Sequence, residues 1–129
     1  IGLRDESPFA IVEQLREGVA FHGILKLSKA SGFSVGRIAS FMKIPPRTLV
    51  RRKARRLFTP GESERLLRLA RLFEKSLQLF EGDAVSAREW LESPRAVLTG
   101  KSPIEFGETE VGAREVEQLI GRLEHGVFS

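Results

Sequence analysis

Seven cations, Lys43, Arg47, Arg51, Arg52, Lys53, Arg55 and Arg56, follow one another over residues 43–56 with no acidic residue among them. Cations at that density suit the phosphates of a nucleic acid, and the planar fork of arginine also matches the acceptors on the guanine edge. Residues near the start of a recognition helix reach base edges, so Arg47 and Thr48 are expected to read bases, with Arg51 one turn on. Arg52, Arg55 and Arg56 are expected to grip phosphates. The bland alternative is a solvated basic helix.

Other chemistry is poorly supplied. The chain has no cysteine and no tyrosine, and its two histidines, His22 and His125, stand in no metal-ligand or catalytic spacing. His22, next to Phe21, reads as structural. Glu105, Glu108 and Glu110 cluster, and paired carboxylates can cleave glycosidic bonds at the right separation. Helix capping explains Glu105 and Glu110 better. No glycine-rich phosphate loop precedes a Lys-Ser/Thr pair. A binding protein is expected, with no catalytic residue, no metal and no cofactor.

The cations are useful only if the backbone presents them on a rigid element. From Ser34 onward the sequence reads as two short helices around a tight turn, the second starting near Pro45 or Pro46. Val35, Ile38, Ala39 and Phe41 or Met42 are expected to face inward, Ile44 to plug the turn, and Leu49 with Val50 to pack the second helix. Two helices that cross steeply need a small side chain where their backbones approach, which Ala39 supplies. This is the helix-turn-helix pattern. Lys43 is expected in the left-handed turn position where glycine is usual, at some conformational cost.

Further helix starts follow from Ser or Thr before Pro, an N-cap and a first residue that needs no amide donor. Ser7-Pro8, Thr59-Pro60, Ser93-Pro94 and Ser102-Pro103 have that form. Glu62 and Glu105 stand where they complete capping boxes with Thr59 and Ser102. Over residues 60–80, Leu66, Leu69, Ala70, Phe73, Leu77 and Phe80 recur at helical spacing, predicting a mostly buried helix. Arg65, Arg68, Arg71 and Lys75 are expected to keep their heads in water along its polar side. Trp90 reads as core, and a last helix after Thr109 buries Val116, Leu119, Ile120 and Leu123, with Gly121 allowing close packing. Strand alternation is absent. The expected fold is all-α: a helix-turn-helix N-terminal region, residues 1–58, packed on a C-terminal helical domain, residues 59–129.

Net charge is +4, but residues 1–80 hold 16 Lys/Arg against 7 Asp/Glu, and residues 81–129 hold 5 against 10. A basic half attracts polyanions and an acidic half repels them, so two different partners are expected. One helix-turn-helix usually reads a half-site, which predicts a two-fold homodimer on a palindromic operator. No apolar run approaches the ~20 residues that span a bilayer. A cysteine-free chain fits a reducing compartment, so a cytoplasmic location is expected. A start at Ile1 instead of Met suggests that the natural start is missing.

Several spaced motifs then occur in one order. They are Arg47-Thr48-Leu49-Val50-Arg51-Arg52-Lys53, Glu62-Ser63-Glu64-Arg65-Leu66-Leu67-Arg68-Leu69-Ala70-Arg71, and Ala87-Arg88-Glu89-Trp90-Leu91. Pro94, Leu98-Thr99-Gly100-Lys101-Ser102-Pro103, Thr109-Glu110-Val111-Gly112-Ala113 and Gly121-Arg122-Leu123-Glu124-His125-Gly126-Val127-Phe128-Ser129 complete the set. The pattern resembles the Xre-type antitoxins of RES-Xre toxin-antitoxin pairs, with an Xre/MbcA/ParS-like toxin-binding domain at the C-terminal end. Lys43 and Pro45 depart from the usual glycine and serine of the turn.

The resemblance implies that the partner is a RES-domain toxin that degrades NAD⁺, neutralised when the C-terminal region caps its active site. It implies toxin contacts from Glu110, Arg114, Arg122, Glu124, His125, Gly126, Val127, Phe128 and Ser129, and repression of the chain's own operon. Independently of the resemblance, a cleft that binds an anionic dinucleotide should be basic and attract an acidic chain end. Val127 and Phe128 are apolar residues beyond the last helix, and they either fold back or enter a partner's pocket. A stand-alone helix-turn-helix regulator without a toxin is the rival reading. An NAD-handling enzyme is a remote one.

Overall fold

A computed structural model of the chain describes residues 18–126. The Ser7-Pro8 helix start and the apolar pair Val127 and Phe128 lie outside the described residues, as does Ser129. Seven α-helices occur among the described residues: α1 (His22–Ser31), α2 (Val35–Phe41), α3 (Pro46–Arg55), α4 (Pro60–Leu79), α5 (Ala84–Glu92), α6 (Pro103–Phe106) and α7 (Glu110–Glu124). A 3₁₀ turn spans Ala96–Leu98, and among the described residues one isolated antiparallel bridge joins Ala20 to Leu57. The chain divides into two compact units, one reaching to Leu67 and the other starting at Arg68, so that α4 contributes to both.

In the first unit, α1 ends where Gly32 turns left-handed and its amide bonds the Ser28 carbonyl. Ser34 then caps α2 by accepting the Arg37 amide. Ile38, Ala39, Phe41, Met42 and Ile44 are buried, and Val35 is half-buried. The ring of Phe21 stacks on that of Phe58 at 5.4 Å. The segment before α1 is fastened by backbone bonds from Phe21 to the Arg56 carbonyl and from Phe58 to the Val19 carbonyl. Gly18 sits there with φ +87, and a Cβ on it would lie 2.5 Å from the Phe58 carbonyl oxygen, so glycine is required.

Thr59 and Glu62 exchange the two bonds of the expected capping box at the start of α4. Leu66, Leu69, Ala70, Leu72 and Phe73 are buried along this helix, whereas Leu77 and Phe80 are half-buried. In the second unit, Asp83 caps α5 by accepting the Ser86 amide, Ser102 and Glu105 form the second capping box, and Thr109 caps α7. Trp90 is buried as expected, and the Arg95 guanidinium lies over its ring at 4.9 Å. Val116, Leu119 and Ile120 are buried on α7, with Leu123 half-buried. A Cβ on Gly112 would meet the Phe106 carbonyl oxygen at 1.8 Å, so this glycine sets the close approach of α7 to the end of α6.

Three expectations need correction. Ser93-Pro94 does not open an α-helix: Ser93 is the C-cap of α5, and its hydroxyl donates to the Glu89 carbonyl. Gly121 provides no close packing, because nothing lies within 4 Å of where its Cβ would stand. The arginines of α4 do not all point to water. Arg65 donates to the Met42 carbonyl, Arg68 is buried against the Glu108 carbonyl and Glu110, and Arg71 pairs with Glu110 and Glu117. An arginine inside an apolar stripe needs a hydrogen-bonded partner, and these partners stand far off in sequence. Only Lys75 is exposed as expected.

Candidate functional site

The turn between α2 and α3 sets how the cations are presented. Lys43 adopts φ +61, with its amide bonded to the Ser40 carbonyl and the next amide, of Ile44, bonded to the Ala39 carbonyl. Those are the paired bonds of a Schellman ending, with lysine in the left-handed position that glycine usually fills. Ile44 is buried in the turn, and Arg65 of α4 reaches the Met42 carbonyl at 3.2 Å. Pro45 then caps α3 from extended backbone, and Pro46 is its first residue. The turn is thus held by its own backbone bonds and by one arginine from α4.

No residue of α3 is fully buried. Leu49, Thr48 and Arg52 are half-covered, and Arg47, Val50, Arg51, Lys53, Ala54, Arg55 and the following Arg56 are exposed. Val50, expected to pack inward, is 69% exposed. At about 100° per residue it stands nearly opposite Arg52, which is the residue that ties α3 down. The Arg52 guanidinium makes a two-pronged ion pair with the Glu62 carboxylate, at 2.8 and 3.0 Å. Arg52 therefore serves as an anchor for the helix, with two of its guanidinium nitrogens engaged by Glu62.

Electrostatics agree with that division. Burial pushes the Glu62 carboxyl up, but the hydrogen bonds from Arg52 and the Thr59 amide, with the charge of Arg52, more than offset it and hold Glu62 below the usual carboxylate range. The same hydrogen bond raises Arg52 above its ordinary value. Glu62 was visible in the sequence only as a capping residue; its second role needs the ten-residue return of the chain past α3. Arg51 donates to the Thr48 hydroxyl at 3.2 Å, which brings two of the three expected base readers together on the exposed surface. Arg47 stands exposed one turn before Arg51.

The residues that the resemblance assigns to the partner spread along α7. Glu110 is half-buried in its first turn, where a negative charge favours the helix dipole. Arg71 bonds it at 3.2 Å, Arg68 lies at 3.5 Å and Arg114 at 3.3 Å. Burial raises the Glu110 carboxyl, while the Arg71 hydrogen bond and charge, followed by Arg114 and Arg68, outweigh it and keep it low. Much of its charge is therefore matched inside the chain. Arg122, Glu124, His125 and Gly126 are exposed at the far end of the helix, and Gln118, Gly121, Arg122 and His125 line an open groove there. The open Gly121 position belongs to that groove. His22 is exposed at the first position of α1.

Among the described residues, no group of three or more His, Asp or Glu could hold a metal ion, and no helix is long and apolar enough to cross a membrane. Residues 10–71 match the family model of the antitoxin Xre-like helix-turn-helix domain. Residues 76–126 match that of the antitoxin Xre/MbcA/ParS C-terminal toxin-binding domain. The chain is 38% identical over its full length to an antitoxin Xre of Yersinia enterocolitica, covering 88% of that protein. It is 35% identical over 89% of its length to one of Photorhabdus laumondii, covering 78% of it. A third antitoxin Xre, from Pseudomonas putida, is 29% identical over 93% of this chain and 74% of its own length.

Proposed function

This chain belongs to the Xre antitoxin family, and from that premise we propose that it neutralises a RES-domain toxin, an enzyme that degrades NAD⁺, and represses its own operon. An antitoxin of this kind is a binding protein, so NAD⁺ is the toxin's substrate and not a cofactor of this chain. Residues 1–58 are assigned to DNA and residues 59–129 to the toxin and to a homodimer, in the cytoplasm. Arg47, Thr48 and Arg51 read base edges, while Arg55 and Arg56 contact phosphates. The C-terminal region, with Arg114, Arg122, Glu124, His125 and the segment 126–129, seats over the toxin's active site.

The observation that carries this reading is the separation of the two surfaces along the chain. Cations stand exposed on α3 of a helix-turn-helix, and the toxin-binding match occupies a different stretch that ends at Gly126. Coexpression with the product of the adjacent open reading frame tests it. Growth should be rescued and the two chains should copurify. Continued toxicity with no complex would leave a stand-alone regulator.

A further inference from the structure

The outward face of α3 is not uniformly basic. Arg47, Val50, Arg51 and Ala54 recur at spacings of three, one and three, so they share one face, and all four are exposed. Val50 and Ala54 each lie two residues from Arg52, about 200° around the helix. Because Arg52 is locked to Glu62 by two hydrogen bonds, Val50 and Ala54 occupy the middle of the surface that projects farthest from the protein. Arg47 and Arg51 flank them on one side and Lys53 on the other. Valine is a mediocre helix former, and at 69% exposure it gains little from burial in its own chain.

A protein partner with an apolar knob would have to strip water from the surrounding cations to reach Val50. A duplex strips that water too but compensates for it, because guanine acceptors take up the hydrogen bonds of Arg47 or Arg51 and phosphates offset the charge of Lys53. In the major groove of DNA the one apolar feature on a base edge is the 5-methyl group of thymine. We propose that Val50, with Ala54 beside it, is a specificity-determining residue that packs against a thymine methyl next to the guanine addressed by Arg47 or Arg51. The inference rests on α3 being the recognition helix and adds which base class its centre selects.

The test uses the full chain and a randomised duplex pool, from which the preferred sequence is enriched. Each thymine of that duplex is then replaced in turn by deoxyuridine, which removes only the methyl group. At one thymine per half-site, beside a guanine, the wild-type chain should lose about three- to fivefold in affinity, the effect of one buried methyl-sized group. Val50→Ala, an exposed change that favours helix, should bind the thymine and uridine duplexes equally well. Uridine replacement without effect at every position would overturn the proposal, as would a Val50→Ala chain that discriminates as the wild type does. Failure to enrich or bind any duplex would instead remove the recognition-helix reading beneath it.

Discussion

The guanidinium of Arg52 and the carboxylate of Glu62 form a two-pronged ion pair that joins α3 to the capping box of α4. One arginine of a seven-cation run is thereby made part of the scaffold. Its neighbours are left facing outward.

Arg52→Ala should therefore lower the urea midpoint, because Glu62 loses its guanidinium while remaining largely buried. A phosphate contact would behave differently: its loss flattens the dependence of log affinity on log salt by about one. For Arg52→Ala the slope should stay that of the wild type, whereas Arg55→Ala should flatten it. Salt titrations of duplex binding by the two variants check this.

Glu62 is held low in the folded chain, so the linkage has a definite sign. Its stabilisation is fully present above the unfolded value of about 4.3 and is lost as pH falls through the lower folded value. Glu62→Gln should be less stable than wild type at pH 7, and the gap should close as pH falls from about 5 toward 3. Urea denaturation at stepped pH measures it.

Lys43 pays a left-handed backbone cost that glycine avoids. Lys43→Gly should gain about 0.5–1 kcal/mol, the steric relief less the extra freedom of glycine in the unfolded chain. The urea midpoint should rise with an unchanged slope.

The C-terminal segment should act separately from α3. Deleting residues 124–129 should release toxin activity in coexpression while leaving duplex binding and dimerisation intact. A truncated chain that still protects cells would move the toxin contact upstream, toward the groove lined by Gln118 and Arg122. Thermal stability of the truncated chain separates this from a loss of structure.

Local chemistry was the legible part of this molecule. Caps at Thr59 and Ser102, helix starts at Ser34 and Thr109, the left-handed Lys43 and the buried Ile38, Ala39 and Ile44 were all readable from short stretches of sequence. What escaped depends on parts of the chain that meet only after folding. Arg71 pairs with Glu110 and Glu117 from 39 and 46 residues away, and no helical spacing announces such partners. The signal was present in weaker form, since Arg68 sits between Leu66 and Leu69, where a charge is costly unless it is matched. Val50 misled because apolar type suggests burial, and only the Arg52 anchor reveals which way α3 is rotated. Ser93-Pro94 misled because a serine hydroxyl can serve the end of one helix as readily as the start of another.

The most direct measurement is a fluorescence-anisotropy titration of the Arg47→Ala, Arg51→Ala double variant on the duplex that lies upstream of its own coding region. Both residues are exposed, so the variant should keep the wild-type helical circular dichroism. Its Kd should rise by about 30-fold or more, as expected for losing two arginine contacts worth about 1–3 kcal/mol each. An unchanged Kd with the fold intact would place the DNA surface somewhere other than α3.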